Sequence, residues 1–221
     1  MHNCPFLQEN EGSSNNPFRQ DLFSYIRLLH ASPDAPSVDV YVNDKPVARG
    51  LSYKHFTPYL KLPTGLYNVT VYPAGKTTNP VIKTQFQVPN RSIFTIAAIG
   101  MLKDISLQPI LEPIEQLKPG TSLIRFIHLS PNSPAVDISL INGKGLFKDV
   151  NYKEVTPYIP TSPGVYGFQV KQSGTENLVL TVPNIRLLPN KIYSVYIVGL
   201  LNGKPPLQVL IPLDGNTYLK F

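Results

Sequence analysis

From residue 23 onward, apolar and polar positions alternate in short runs that Pro, Gly, Asn and Asp repeatedly interrupt. SYIRLLH, VDVYVN, HFTPYLKL, LYNVTVYP, VIKTQFQV, SIFTIAAIG and ISLQPIL follow one another, separated by clusters such as SPDAP, ND, PTG, PAG and VPN. A period of two between turn-forming clusters is the pattern of half-buried strands. A second set, LIRFIHLS, VDISLI, VTPYIP, VYGFQV, LVLTV, IYSVYIVG and LQVLIPL, repeats it. No segment sustains the 3.6-residue period of an amphipathic helix. Seven or eight strands in each set predict an all-β chain of two tandem β-sandwich domains, of the immunoglobulin-like or transthyretin-like kind.

The two sets are copies of one another. Ile26, Arg27, His30, Ser32, Pro33, Pro36, Val38 and Asp39 recur at an offset of 98 as Ile124, Arg125, His128, Ser130, Pro131, Pro134, Val136 and Asp137. After one inserted residue, Tyr53, Thr57, Pro58, Tyr59, Gly65 and Tyr67 recur at an offset of 99 as Tyr152, Thr156, Pro157, Tyr158, Gly164 and Tyr166, and Gly100 recurs as Gly199. A period near 98 is a domain duplication, far longer than a solenoid unit. The expected organisation is a flexible N-terminal tail over 1–22, a first sandwich over 23–112, a linker over 113–119 and a second sandwich over 120–221. The joint, EPIEQLKPGT, holds two prolines and should be semi-stiff.

Composition sharpens this picture. Of 221 residues, 23 are Pro and 14 are Gly, which disfavours long helices, and 42% are hydrophobic, enough for a core. The net charge of +6 is spread thinly: residues 1–118 hold 11 bases and 9 acids, and residues 119–221 hold 9 and 5. Nucleic-acid binders concentrate their bases on one face or segment, so no nucleic-acid partner is expected. The lone Cys4 cannot form an internal disulfide, so the fold must stand on its core. The first twenty residues lack the basic start and apolar stretch of a secretory signal, and no apolar run of transmembrane length occurs.

Several polar residues invite a chemical reading. If the first two strands formed a hairpin around Ser32–Pro36, pairing residue 28 with 38 would set Arg27 opposite Asp39, and Arg125 opposite Asp137, as cross-strand ion pairs. His30 and His128 lie on apolar parities without further ligands in reach, so the expectation is a partly buried histidine bonded to the SPDAP or SPNSP loop rather than a metal ligand. Asp34, Asp39 and Asp44 lack the alternate-position spacing of a calcium loop, and the second copy replaces Asp34 and Asp44 by Asn132 and Asn142. No nucleophile elbow, zincin, P-loop or dinucleotide fingerprint occurs, so no enzyme activity, metal or cofactor is expected. Tyr53, Tyr59, Tyr152 and Tyr158, flanking the Thr-Pro-Tyr motif, are the aromatics to weigh for a binding surface, although structural packing is the role expected of them.

The string LLHASPDAPSVDVYVNDKPVARGLSYKHFTPYLKLPTGLYNVTVYPAG resembles the opening of the bacterial domain-of-unknown-function 4397 family. That family's pattern is R-x-x-H-x-S-P-x-A-P-x-V-D-V-Y-V, then a Tyr-rich segment, then P-(A/S)-G-x-Y. Arg27, His30, Pro33 and Asp39, with Arg125, His128, Pro131 and Asp137, carry the resemblance, and the second copy departs from it at Ser133, Ser139 and Leu140. The resemblance implies tandem sandwiches in exported or envelope-associated bacterial proteins, with no catalytic residues to carry over. The function expected is a non-enzymatic structural or interaction role in a surface layer, at the envelope or on a spore, whose proteins need no secretory signal. The alternative is a binding module for cell-wall glycan or another anionic polymer. Partners would be such a polymer or other surface-layer proteins, and the sequence leaves the oligomeric state open.

Overall fold

The computed structural model describes residues 22–221. Cys4 and the reading of the first twenty residues as lacking a leader lie outside them. The first repeat holds β1 (Phe23–His30), β2 (Val38–Val42), β3 (Lys45–Leu51), β4 (Leu60–Pro63), β5 (Gly65–Pro73), β6 (Ile82–Val88), β7 (Ile93–Ile99) and β8 (Ser106–Leu111). The second holds β9 (Ser122–His128), β10 (Val136–Leu140), β11 (Gly145–Val150), β12 (Ile159–Thr161), β13 (Gly164–Gln172), β14 (Leu178–Leu187), β15 (Lys191–Val198) and β16 (Gln208–Leu210).

The strands form four sheets, two per repeat: β4-β1-β7-β8 and β3-β2-β5-β6, then β12-β9-β15-β16 and β11-β10-β13-β14. Within each repeat the first and seventh strands run parallel and the other pairs antiparallel. Two elements add to the sequence reading. β3 (KPVARGL) and β11 (GLFKDV) are mostly exposed, bulged edge strands whose mixed polarity hides the alternation. Conversely, HFTPYLKL is a strand only over Leu60–Pro63, because the Thr-Pro pair leaves Phe56 a single bridge to Leu29.

Alternation along β1 sends Ile26 into the sandwich core of its own repeat. Leu29 points the other way, into a separate buried cluster with Ala31, Ala97, Ile99 and Ile110 of the first repeat and Ile127, Leu129, Tyr196 and Val198 of the second. The sheets containing β1 and β9 are thus apolar on both faces, and their outer faces pack against each other as a seam between the repeats. Such two-sided burial explains why β7 (IFTIAAI) and β15 (KIYSVYIV) read as nearly continuous apolar runs.

The two cores differ in packing. Phe126 meets Phe168 and Phe147 edge-to-face in the second repeat, with ring centroids 5.3 and 5.9 Å apart. At the places of Phe126 and Phe168 the first repeat has Leu28 and Val69, which line an apolar cavity of about 40 Å³. Gly100 and Gly199 end the seventh strands with φ of 89° and 93°, and a Cβ on Gly199 would lie 2.2 Å from the Pro206 carbonyl oxygen. No side chain fits that turn.

Candidate functional site

Of the polar residues shared by the repeats, the arginines enter the seam, beginning with Arg27. Its parity on β1 matches Leu29, so its side chain enters the seam, and residue Thr95 stands beside it on β7. Arg27 Nε donates to Thr95 Oγ1 (2.7 Å), Nη1 donates across the seam to the Leu213 carbonyl (2.9 Å), and Nη2 lies 3.3 Å from both Glu112 Oε1 and Asp214 Oδ1. Arg125 enters from the other side, with Nε to Ser194 Oγ (2.8 Å) and Nη1 to the Leu111 carbonyl (2.8 Å), while its Nη2, 3.6 Å from Asp214 Oδ2, makes no hydrogen bond among the described residues. Glu112 and Asp214 hold matching places, each following the last strand of its repeat and donating its own N–H to the seventh strand, at Ile93 and Ile192.

The hydroxyls complete a pseudo-two-fold pattern. Thr95 and Tyr59 donate to Glu112 (each 2.7 Å), while Ser194 (2.7 Å) and Tyr158 donate to Asp214. The Tyr59 and Tyr158 rings also cover the guanidinium groups, at 4.8 Å from Arg27 and 4.5 Å from Arg125. Both carboxylates are fully buried and both arginines nearly so. Removing an ion from water costs several kcal/mol after relaxation, so such a cluster persists only when charge is balanced and bonds are made. Here two cations face two anions. Burial, then the neighbouring Glu112 carboxylate, pushes the Asp214 carboxyl up to about 6. Burial likewise drives the Tyr59 and Tyr158 hydroxyls above their ordinary value, which keeps them protonated donors.

The ion pairs expected between Arg27 and Asp39, and between Arg125 and Asp137, do not form. β1 and β2 belong to different sheets, so SPDAP is a crossover between sheets and not a hairpin turn. Val38 and Val40 occupy the core, which turns Asp39 to the far outer face, a sandwich thickness away from Arg27. Asp39 instead accepts the N–H groups of Gly50 (2.7 Å) and Gly75 (2.9 Å), bonds that hold its carboxyl below the usual carboxylate range. Asp137 accepts from Asp149 N–H (2.8 Å) and Ser173 Oγ (3.0 Å), with the same effect.

His30 and His128 are fully buried on the core side. Nε2 of each donates to a loop carbonyl, that of Pro36 (2.9 Å) and Pro134 (3.1 Å), closing the segments that contain Pro33 and Pro131. Burial lowers both imidazoles below their ordinary value and keeps them neutral. Tyr53 and Tyr152 pack edge-on to these rings at 6.3 Å and rest, with Phe56, against the seam cluster. All four tyrosines singled out in the sequence are therefore half-buried at the seam. Asp34 Oδ1 accepts Leu102 N–H and Asn132 Oδ1 accepts Leu201 N–H, so these equivalent positions pin one loop to another.

Glu112 and Asp214 escape sequence reasoning. Their types differ, their offset is 102 rather than 98 or 99, and Glu112 sits in the proline-rich joint. The available signal was the lone buried-parity arginine in each copy, which required a partner. Among the described residues no three His, Cys, Asp or Glu side chains gather as a metal site, and no helix is long and apolar enough to cross a membrane.

Comparison with known proteins gives distant likenesses among solved structures. The Bacillus anthracis TIE protein is 13% identical over 81% of this chain and 34% of its own (TM-score 0.27), so the chain spans about a third of its length. The tip fimbrial protein Mfa3 from Porphyromonas gingivalis, with C-terminal truncation, is 10% identical over 87% and 99% (TM-score 0.29). The family CBM26 module of Eubacterium rectale Amy13K, solved with maltoheptaose, is 9% identical over 86% and 96% (TM-score 0.25). None of the curated proteins matches. The repeated Arg, His, Pro and Asp positions, which brace the seam, the crossover loops and the outer sheets, fall within residues 24–139 and 131–217, which match the domain of unknown function DUF4397: the chain belongs to that family and carries two tandem copies of it.

Proposed function

We propose that this protein is a non-enzymatic structural or interaction component of a bacterial surface layer, at the envelope or on a spore. The observation that carries the reading is where the duplicated polar residues go. Arg27, His30 and Asp39, with Arg125, His128 and Asp137, bond to backbone groups or to buried partners of the fold, so the residues that define the repeat act as struts. A repeat whose shared polar residues are engaged in bonds within the fold suits a scaffold that presents its outer sheets and loops. The parallel pairing of first and seventh strands supports a transthyretin-like variant of the immunoglobulin-type sandwich.

Fractionating spores, envelope and cytosol with an antibody to the chain tests the location. Recovery in a surface fraction supports the reading, and a purely cytosolic pool overturns it. The surplus of four bases over residues 119–221 favours a second reading at the same location, binding of cell-wall glycan or another anionic polymer. Co-sedimentation with purified peptidoglycan at low salt supports that alternative, and no retention removes it.

A further inference from the structure

A sheet edge exposes unpaired N–H and C=O groups, and folded proteins guard such edges with bulges, prolines or very short strands. Seven of the eight edges among the described residues are guarded in these ways. β3 and β11 carry register shifts; β4 is four residues ending in Pro63; β8 contains Pro109; β12 and β16 are three residues long. β14 carries two register shifts and Pro183. Its counterpart β6 is different: apart from the single charge of Lys83 it is seven residues without proline, in unbroken register with β5 from Gly65↔Val88 to Val71↔Ile82. The duplication thus produced two equivalent edges, one guarded and one open.

The side chains of β6 point to what covers it. On the inward parity Ile82 and Val88 are buried, while Thr84 is exposed and Phe86 half-exposed, an apolar interior left incomplete at this edge. On the outward parity Lys83, Gln85 and Gln87 are exposed. We propose that β6 pairs antiparallel with β6 of a second copy of this chain, about a two-fold axis through Gln85. In that register Ile82 meets the partner's Val88 and Thr84 meets the partner's Phe86, which extends the sandwich interior across the axis. Lys83 meets the partner's Gln87, so no like charges stand opposite, and the two lysines lie about 14 Å apart along the strands, beyond the screening length of about 8 Å at physiological salt. One open edge per chain, used isologously, closes as a dimer and does not propagate. This inference is independent of where the protein resides.

The test uses the full chain in a Cys4→Ser background, by sedimentation and by oxidative cross-linking. Gln85→Cys places two thiols directly opposite, within disulfide reach, whereas Gln87→Cys places each thiol opposite Lys83. The expected result is a reversible dimer that cross-links efficiently at 85 and poorly at 87. Gln85→Lys sets like charges face to face and should weaken the dimer at least tenfold, with circular dichroism unchanged, and with the melting temperature unchanged at concentrations where both chains are monomeric, since the position is exposed. A chain that stays monomeric at all concentrations, pairing only with strands of another protein or with none, overturns the proposal. So does a dimer indifferent to Gln85→Lys, or equal cross-linking at 85 and 87.

Discussion

Each buried arginine of the seam takes a carbonyl oxygen from the other repeat, Arg27 the Asp214 carboxylate as well, and each buried histidine closes a proline loop in its own. These assignments have opposite consequences for pH. Imidazoles lowered by burial bind protons less readily folded than unfolded, so their contribution is complete above about 6.5 and is lost as pH falls through their folded values. Asp214, raised to about 6, binds its proton more readily when folded, so its contribution is complete below the unfolded carboxyl value and is lost as pH rises through about 6. In a His30→Gln/His128→Gln variant, with Gln Nε2 in the place of imidazole Nε2, Asp214 governs this range. Stability measured by denaturant titration should then rise from pH 7 to pH 5; a fall over that interval would contradict the assignment. The histidines' loop bonds were legible in the sequence because donor and acceptor lie six residues apart. The arginines' partners were not, since they lie 85 and 187 residues from Arg27 and depend on which faces of two domains meet.

Strand positions were legible where alternation was strong, as in β5 and β13, or where an apolar run was nearly continuous, as in β7 and β15. Edge strands such as β3 were not, because a bulged strand facing water on most positions has no hydrophobic period to read. The duplication also shows how two copies of one element set diverge in packing. Leu28→Phe, copying Phe126, should fill the cavity of about 40 Å³ in the first core. At about 24 cal/mol per Å³ the gain is at most about 1 kcal/mol. Thermal denaturation should show a slightly higher melting temperature, whereas a clear loss would mean that the strands around Leu28 cannot accommodate the ring. Gly199→Ala, by contrast, forces both a positive φ and a clash with backbone, and should cost more than the roughly 1 kcal/mol typical of point substitutions.

At the level of the molecule, the seam changes what the linker does. A semi-stiff joint alone would permit a range of inter-domain angles, but Leu29, Ile99 and Ile110 packed on Ile127, Leu129 and Tyr196 leave the repeats little freedom. The C-terminal segment adds to this, since Tyr25 donates to the Lys220 carbonyl and Gly215 N–H donates to Glu112. A protease site placed between Glu115 and Lys118 should therefore yield two fragments that co-migrate in gel filtration; separation at neutral pH would mean the seam is too weak to hold them. The arginines of the repeat signature hold this seam through charges buried across it. A double-mutant cycle on Arg27→Met and Asp214→Asn, with stability measured by equilibrium denaturation, tests that coupling. Arg27→Met should destabilise by about 3–5 kcal/mol by stranding a buried carboxylate, Asp214→Asn by less, since the Asp214 carboxyl is raised to about 6 and its neutral form is the better tolerated, and the pair should couple by about 1–3 kcal/mol. Effects that add to within about 0.5 kcal/mol would show that Arg27 and Asp214 do not act together and that their charges do not hold the repeats to each other.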